Sequence, residues 1–145
     1  MRKVMAVFLC CLLTGCSALP RPREMENMAL ARTLGVDFTE EGCTVTASAG
    51  PEAEGEEPQI FTGSGPSVEK AMETMRDSGE NTVFLGYADR ILLGGPLTKL
   101  DSLFEYIHTD RELSLGALVW YLPENSAADM IRAGAERRLE PLQPV

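Results

Sequence analysis

The sequence predicts an α+β fold: a mixed, largely antiparallel β-sheet covered by about three α-helices, in the order ββ-β-α-β-α-β-α. Three observations carry this. Cys43, Val45, Ala47 and Ala49 alternate strictly with Thr44, Thr46 and Ser48, the two-residue period of a strand with one apolar face. Val68, Ala71, Met72 and Met75 recur at i, i+3, i+4 and i+7, the stripe of an amphipathic helix. Strand-like runs and helical stripes then alternate as far as Ile131, a succession that packs as helices against a sheet.

Each element has its own signal. Residues 29–38 place Leu30, Leu34, Val36 and Phe38 at even spacing, with Arg32 breaking the pattern and leaving the start of the strand open. Thr39-Glu40-Glu41-Gly42 is a turn, its glycine available for a positive φ, and it joins this strand to residues 43–49 as a half-buried antiparallel hairpin. Gly50 to Pro58 carries Glu52, Glu54, Glu56 and Glu57 and reads as a solvated loop; the spacing does not match the alternating Asp/Asn pattern of a calcium loop. Gln59 to Thr62 is a short strand, and Gly63-Ser64-Gly65-Pro66 a flexible turn into the first helix. Ser67 caps that helix and Gly79 closes it. Residues 82–94 read as one strand with Gly86 as the place for a kink. Leu97, Leu100, Leu103, Phe104 and Ile107 form the stripe of a second helix. Leu113 to Leu122, the most apolar stretch, reads as a central strand because its apolar character is continuous. Ser126 and Asp129 resemble a capping box that opens a third helix through Met130, Ile131 and Gly134, and Pro141 and Pro144 end the order.

The first 15 residues do not belong to this domain. Arg2 and Lys3 precede an apolar run of ten residues, Val4 to Leu13, followed by Thr14 and Gly15. That is the layout of an export signal, and the run is too short to span a bilayer, which takes about 20 helical residues. Leu13-Thr14-Gly15-Cys16 resembles the bacterial lipobox, in which the thiol is acylated and cleavage then leaves the cysteine at the new N-terminus. A lipid on Cys16 would anchor the chain to the outer face of a membrane, each buried methylene contributing about 0.8 kcal/mol. The expected organisation is a signal peptide over 1–15, a lipidated cysteine and proline-bearing tether over 16–23, a single domain over 24–136 and a C-terminal tail over 137–145.

Charge and cysteine count exclude several function classes. The sequence holds 13 basic and 22 acidic side chains, a net charge of −9; loss of Arg2 and Lys3 takes it to near −11. Such a domain does not neutralise phosphates, so nucleic acid is not an expected partner, and it is repelled by anionic headgroups. Of four cysteines, Cys10 and Cys11 lie in the signal and Cys16 carries the lipid. Cys43 remains alone, a buried strand thiol with no disulfide partner and no metal cluster around it.

A catalytic set is missing from the pattern. The single histidine, His108, lies near the end of the second helix beside Asp110, with no serine elbow and no HExxH. Gly63-Ser64-Gly65 before a helix has the glycines of a phosphate cradle but not the lysine and hydroxyl of a P-loop. No pair of carboxylates is set by spacing as a glycosidase dyad. The sequence therefore predicts a protein without enzymatic activity, cofactor or metal.

The order of motifs resembles a known family. Arg23-Glu24-Met25-Glu26-Asn27-Met28-Ala29-Leu30 followed by Leu34-Gly35-Val36-Asp37 is similar to the opening of the Ger(x)C family, the lipoprotein C subunits of bacterial spore nutrient germinant receptors. Gly63 to Met75 is similar to that family's glycine-bearing turn and first helix, and Val83-Phe84-Leu85-Gly86-Tyr87 to its Tyr-Leu-Gly-His strand. Leu103 to Leu113 resembles its helix ending in an Asp-containing turn, and Leu118 to Ile131 its last strand and helix. The similarity covers residues 12–134. Ser17-Ala18 stands where the family often has tryptophan-aspartate, Tyr87 where it has histidine, and His108 where it has arginine. The family is longer, and only its N-terminal domain is matched, as in a stand-alone homologue, a split gene or a degenerate copy.

The resemblance implies a non-enzymatic subunit, tethered to the spore inner membrane through Cys16 and docking beside integral membrane subunits of a germinant receptor. Arg23, Glu24, Asp37, Tyr87 and Asp110 are the implied docking residues, as exposed groups at motif positions. The competing readings are an interaction domain of a vegetative cell-envelope complex, an anchored hydrolase using acidic residues, and a truncated, non-functional paralogue.

Overall fold

The computed structural model describes residues 27–50, 57–110, 112, 113 and 116–139. The expected signal peptide, Cys16, the tether and most of the tail lie outside these residues, as does most of the acidic loop after Gly50.

Six strands form one mixed sheet: β1 (Met28–Phe38), β2 (Cys43–Ala49), β3 (Gln59–Gly65), β4 (Thr82–Phe84), β5 (Arg90–Gly94) and β6 (Leu118–Leu122). Three helices accompany them, α1 (Val68–Arg76), α2 (Leu100–Thr109) and α3 (Ala127–Arg132), with single 3-10 turns before α2 and after α3. The sheet order is β3-β2-β1-β5-β6, with β4 beside the start of β1. The α+β class and the element order follow the sequence reading. Strand direction divides the sheet: β3-β2-β1 is antiparallel, whereas β4 and β5 run parallel to β1 and β6 runs parallel to β5. Each parallel step needs a crossover, and the segments containing α1 and α2 make them.

The break that Arg32 makes in the first strand is a bulge. The β1–β2 register shifts between Ala31 and Thr33, so one residue goes unmatched and the alternation changes phase. Before the shift, Ala29 and Ala31 are buried and Leu30 is 43% exposed; after it, Leu34, Val36 and Phe38 are buried. Leu30 therefore does not share the core face with Leu34, contrary to even spacing. The Arg32 carbonyl accepts the Asp89 N–H at 3.0 Å. At that level the neighbouring chain also leaves the sheet, between β4 and β5. The single strand expected over 82–94 is two short ones along the same edge of β1.

Both faces of the sheet are covered. Leu34, Val36 and Phe38 meet Cys43, Val45 and Ala47 across the hairpin, and the side chains Val68, Ala71, Met72 and Met75 of α1 and Leu103 of α2 complete that core. On the opposite face, Leu92 and Leu122 pack with Ala127 and Ile131 of α3. The hairpin is thus more than half buried: Thr33, Thr46 and Ser48, on its polar face, are also buried.

Several glycines serve close approach. A Cβ on Gly63 would lie 2.2 Å from the Met75 nitrogen and 2.3 Å from the Ala71 carbonyl oxygen. Only glycine lets α1 rest this closely on β3, and the expected flexible turn over 63–65 is the end of that strand. Gly42 and Gly79 do not adopt a positive φ; a Cβ would strike the Gly65 carbonyl at the first and the Phe61 ring at the second. Helix α1 ends earlier than Gly79, at Arg76, with Asp77 as its C-cap.

Strand β6 differs most from expectation. It lies at the margin of the sheet, and Leu118, Val119 and Tyr121 are each about half exposed. A continuous apolar run suits a strand covered on both faces, but here α3 covers Trp120 and Leu122 on one face and helix cover stops short of Val119 and Tyr121 on the other.

Candidate functional site

Two constellations of polar side chains organise the described domain. The first joins β1 to α3. Asp37, one residue from the end of β1, accepts hydrogen bonds from the Ala127 N–H at 2.7 Å, the Ala128 N–H at 2.9 Å and the Ser126 hydroxyl at 2.9 Å. Ser126 is the N-cap, and its hydroxyl also accepts from the Asp129 N–H at 3.4 Å. The first N–H groups of a helix have no partner within it, and a carboxylate placed there satisfies them and the helix dipole together. Gly94 on β5 leaves room for this: a Cβ would lie 2.0 Å from an Asp37 carboxylate oxygen. The Gly-x-Asp at 35–37 thus positions α3. Gly35 belongs to the same arrangement, since a Cβ there would press on Ile131 and Ala127.

The second constellation ties α1 to α2. Arg76, in the last turn of α1, donates to Asp110 at 2.7 Å and to Glu112 at 3.4 Å. Asp110 also accepts the Tyr106 hydroxyl at 2.5 Å and the Glu112 N–H at 2.9 Å. Burial alone would push the Asp110 carboxyl up; the donors Tyr106, Glu112 N–H and Arg76 outweigh it and hold the group below the ordinary carboxylate range. The Tyr106 phenol is driven well above its usual range, first by burial and then by its bond to Asp110. These residues floor an open cleft of about 650 Å³ between the helices, with Ser67, Glu69, Ser102, Glu105 and Thr109 around it. Carboxylates outnumber cations at its mouth, so it favours basic groups over acidic ones.

The sequence-expected lipidation site, Cys16, and the five expected docking residues fall into three classes. Cys16, Arg23 and Glu24 lie outside the described residues. Asp37 is part-buried and spent on α3, and the Asp110 side chain is 11% exposed and spent on Arg76 and Tyr106; both are internal tie points and not the open contacts expected of them. Tyr87 is open: it is 64% exposed, in edge-to-face contact with Phe84 at 6.0 Å between ring centroids. His108 is exposed at the last turn of α2, and Asp110 bonds to Arg76 and Tyr106. Cys43 is buried in β2, as its alternation predicts, and burial pushes its thiol up.

Sequence reasoning missed Arg76, Tyr106 and Glu112. Tyr106 and Asp110 share a helical i, i+4 spacing that could have paired them, but nothing local ties either to Arg76. Among the described residues, no group of three or more His, Cys, Asp or Glu side chains is placed to hold a metal ion. No described helix is long and apolar enough to cross a membrane.

Comparison with protein families matches residues 21–137 to the spore germination protein N-terminal domain. No curated protein and no solved structure matches the chain.

Proposed function

The chain belongs to the spore germination protein N-terminal domain family and has a role in spore germination, and on that premise we propose that it is a non-enzymatic, lipid-anchored subunit of a nutrient germinant receptor. Cys16 carries the anchor, and the domain docks beside integral membrane subunits at the outer face of the spore inner membrane. The observation that carries this reading is the family match over residues 21–137, which takes in all six strands and all three helices. The lipobox-like Leu13-Thr14-Gly15-Cys16 lies only a few residues ahead of it. The internal use of Asp37 and Asp110 supports the same role, because the polar motif residues build a rigid presenting surface. Docking contacts then fall to the exposed Tyr87, on the loop after β4, and to the motif residues Arg23 and Glu24, which precede β1 in the sequence.

The test is a pull-down from detergent-solubilised spore membranes, with this protein and its Cys16→Ala variant as baits. Recovery of integral receptor subunits with the wild-type chain is the expected result, with a weaker yield from the unanchored variant. A wild-type bait that returns alone would overturn the assignment.

A further inference from the structure

We propose that the outer edge of β6 is a strand-addition site, taking an extended, uncharged segment of a partner protein whose flanks are basic. This rests on the docking role above and names the surface that performs it.

The ladder fixes which atoms the edge offers. Leu118 pairs with Arg90, and its N–H donates to the Asp89 carbonyl at 2.8 Å. In a parallel pair, backbone groups point alternately to one neighbour and the other. Leu118, Trp120 and Leu122 therefore turn their N–H and C=O groups to β5, and Val119 and Tyr121 turn theirs outward. Among the described residues, no strand pairs on that side. Val119 and Tyr121 stand opposite Ile91 and Leu93, on the face that α1 and α2 cover over β1 and β5. The cover does not reach β6, and the two side chains are 49% and 46% exposed. Open main-chain groups and open apolar side chains thus coincide at the same two residues.

Edge strands are ordinarily blunted by charge, proline or a bulge. Leu118 to Leu122 has none of these: it reads Leu-Val-Trp-Tyr-Leu with five regular pairs to β5. An added strand would bond to Val119 and Tyr121 and lay alternate apolar side chains beside theirs, the mode in which main-chain bonds give affinity and side-chain pockets give selectivity.

Charge and size choose the occupant. A second copy would bring another −9 against this one. It would also meet it through a five-residue edge, where a stable dimer uses about 20–30 residues a side. An extended segment needs no such area. Exposed acids stand near both ends of β6: Asp89, also ion-paired with Arg90 at 3.7 Å, beside its start and Glu124 just past its end, so basic flanks on the incoming segment are favoured.

The probe is a synthetic peptide of alternating valine and threonine with two lysines at each end, compared with the same peptide ending in glutamates. Trp120, the only tryptophan in the sequence, lies within β6 and reports occupancy by fluorescence. Hydrogen exchange reads the Val119 and Tyr121 amides of the full chain. The lysine-flanked peptide is expected to shift Trp120 emission and slow those two amides by about tenfold or more, with little effect from the glutamate form. Val119→Pro removes an outward N–H without touching the β5 ladder and is expected to abolish the Trp120 shift and the slowing of the remaining Tyr121 amide at unchanged Tm. Absence of slowing, equal slowing by both peptides, or full binding by Val119→Pro overturns the proposal. So do amides already protected in the free monomer, or protection that follows dimerisation at higher concentration. The receptor pull-down separates this from the docking role: wild type and Val119→Pro recovering integral subunits equally would remove the edge and leave the role standing.

Discussion

The Asp37→Ala substitution tests the reading of the β1–α3 junction. Asp37 gives α3 two backbone acceptor contacts and holds the Ser126 hydroxyl, all within 2.7–2.9 Å. Losing an N-cap side chain costs about 0.5–2 kcal/mol, and hydrogen bonds to a charged group are worth about 1.5–3 kcal/mol each. Asp37 is only part-buried, so water recovers some of this, and the net loss should be about 2–4 kcal/mol. Asp37→Asn keeps one acceptor oxygen but sets an amide donor against an N–H, and should cost about half as much. Against a domain stability of about 5–15 kcal/mol, both variants stay folded enough to measure. Urea unfolding followed by circular dichroism and by Trp120 fluorescence is the assay, Trp120 being packed against the α3 cluster. An Asp37→Ala loss below about 0.5 kcal/mol, the size of an ordinary surface change, would refute the assignment.

Gly94 supplies an internal control. Gly94→Ala pushes a methyl onto the Asp37 carboxylate, so much of its cost is the displacement of that group. In the Asp37→Ala background the same change should cost less, with a coupling of about 1 kcal/mol or more between the two sites. Additive losses would show that the crowding around the Gly94 position falls elsewhere.

Other expectations follow from the same geometry. Asp110 has a lowered folded pKa, so its stabilisation is complete above the unfolded value of about 4 and is lost as pH falls through the lower folded value. Asp110→Asn should therefore flatten the acid limb of a stability–pH curve below about pH 4 and cost about 1.5–3 kcal/mol at neutral pH. Tyr106 has a raised folded pKa, so its contribution holds below about pH 10 and fades at higher pH. Absorbance titration of wild type against Tyr106→Phe should show the missing phenol to be one that ionises late. Gly63→Ala should cost more than about 2 kcal/mol, since its methyl meets helix backbone and not a movable side chain; denaturant unfolding measures it. Leu103→Ala, at a fully buried α2 position, should cost about 2–5 kcal/mol in the same assay.

The parts of this fold that were legible in the sequence are those in which one period runs without interruption. The 43–49 alternation and the 68–75 stripe each lie on one buried face, and the caps Ser67 and Ser126 sit where the residue types place them. What escaped was what periodicity does not encode. The Arg32 bulge reverses the phase of β1 midway, so evenly spaced apolar residues land on opposite faces. Asp37 and Asp110 read as open polar groups because their partners lie 90 and 34 residues away. Hydrophobicity also says nothing of a strand's rank in the sheet: Leu-Val-Trp-Tyr-Leu is the composition of a central strand, and it stands at the margin. A local pattern that contradicts its place in an otherwise consistent fold marks a position where another requirement has been met. An apolar edge left open at Val119 and Tyr121, on the face that α1 and α2 cover farther in, has that character, and it points to a surface completed by another chain.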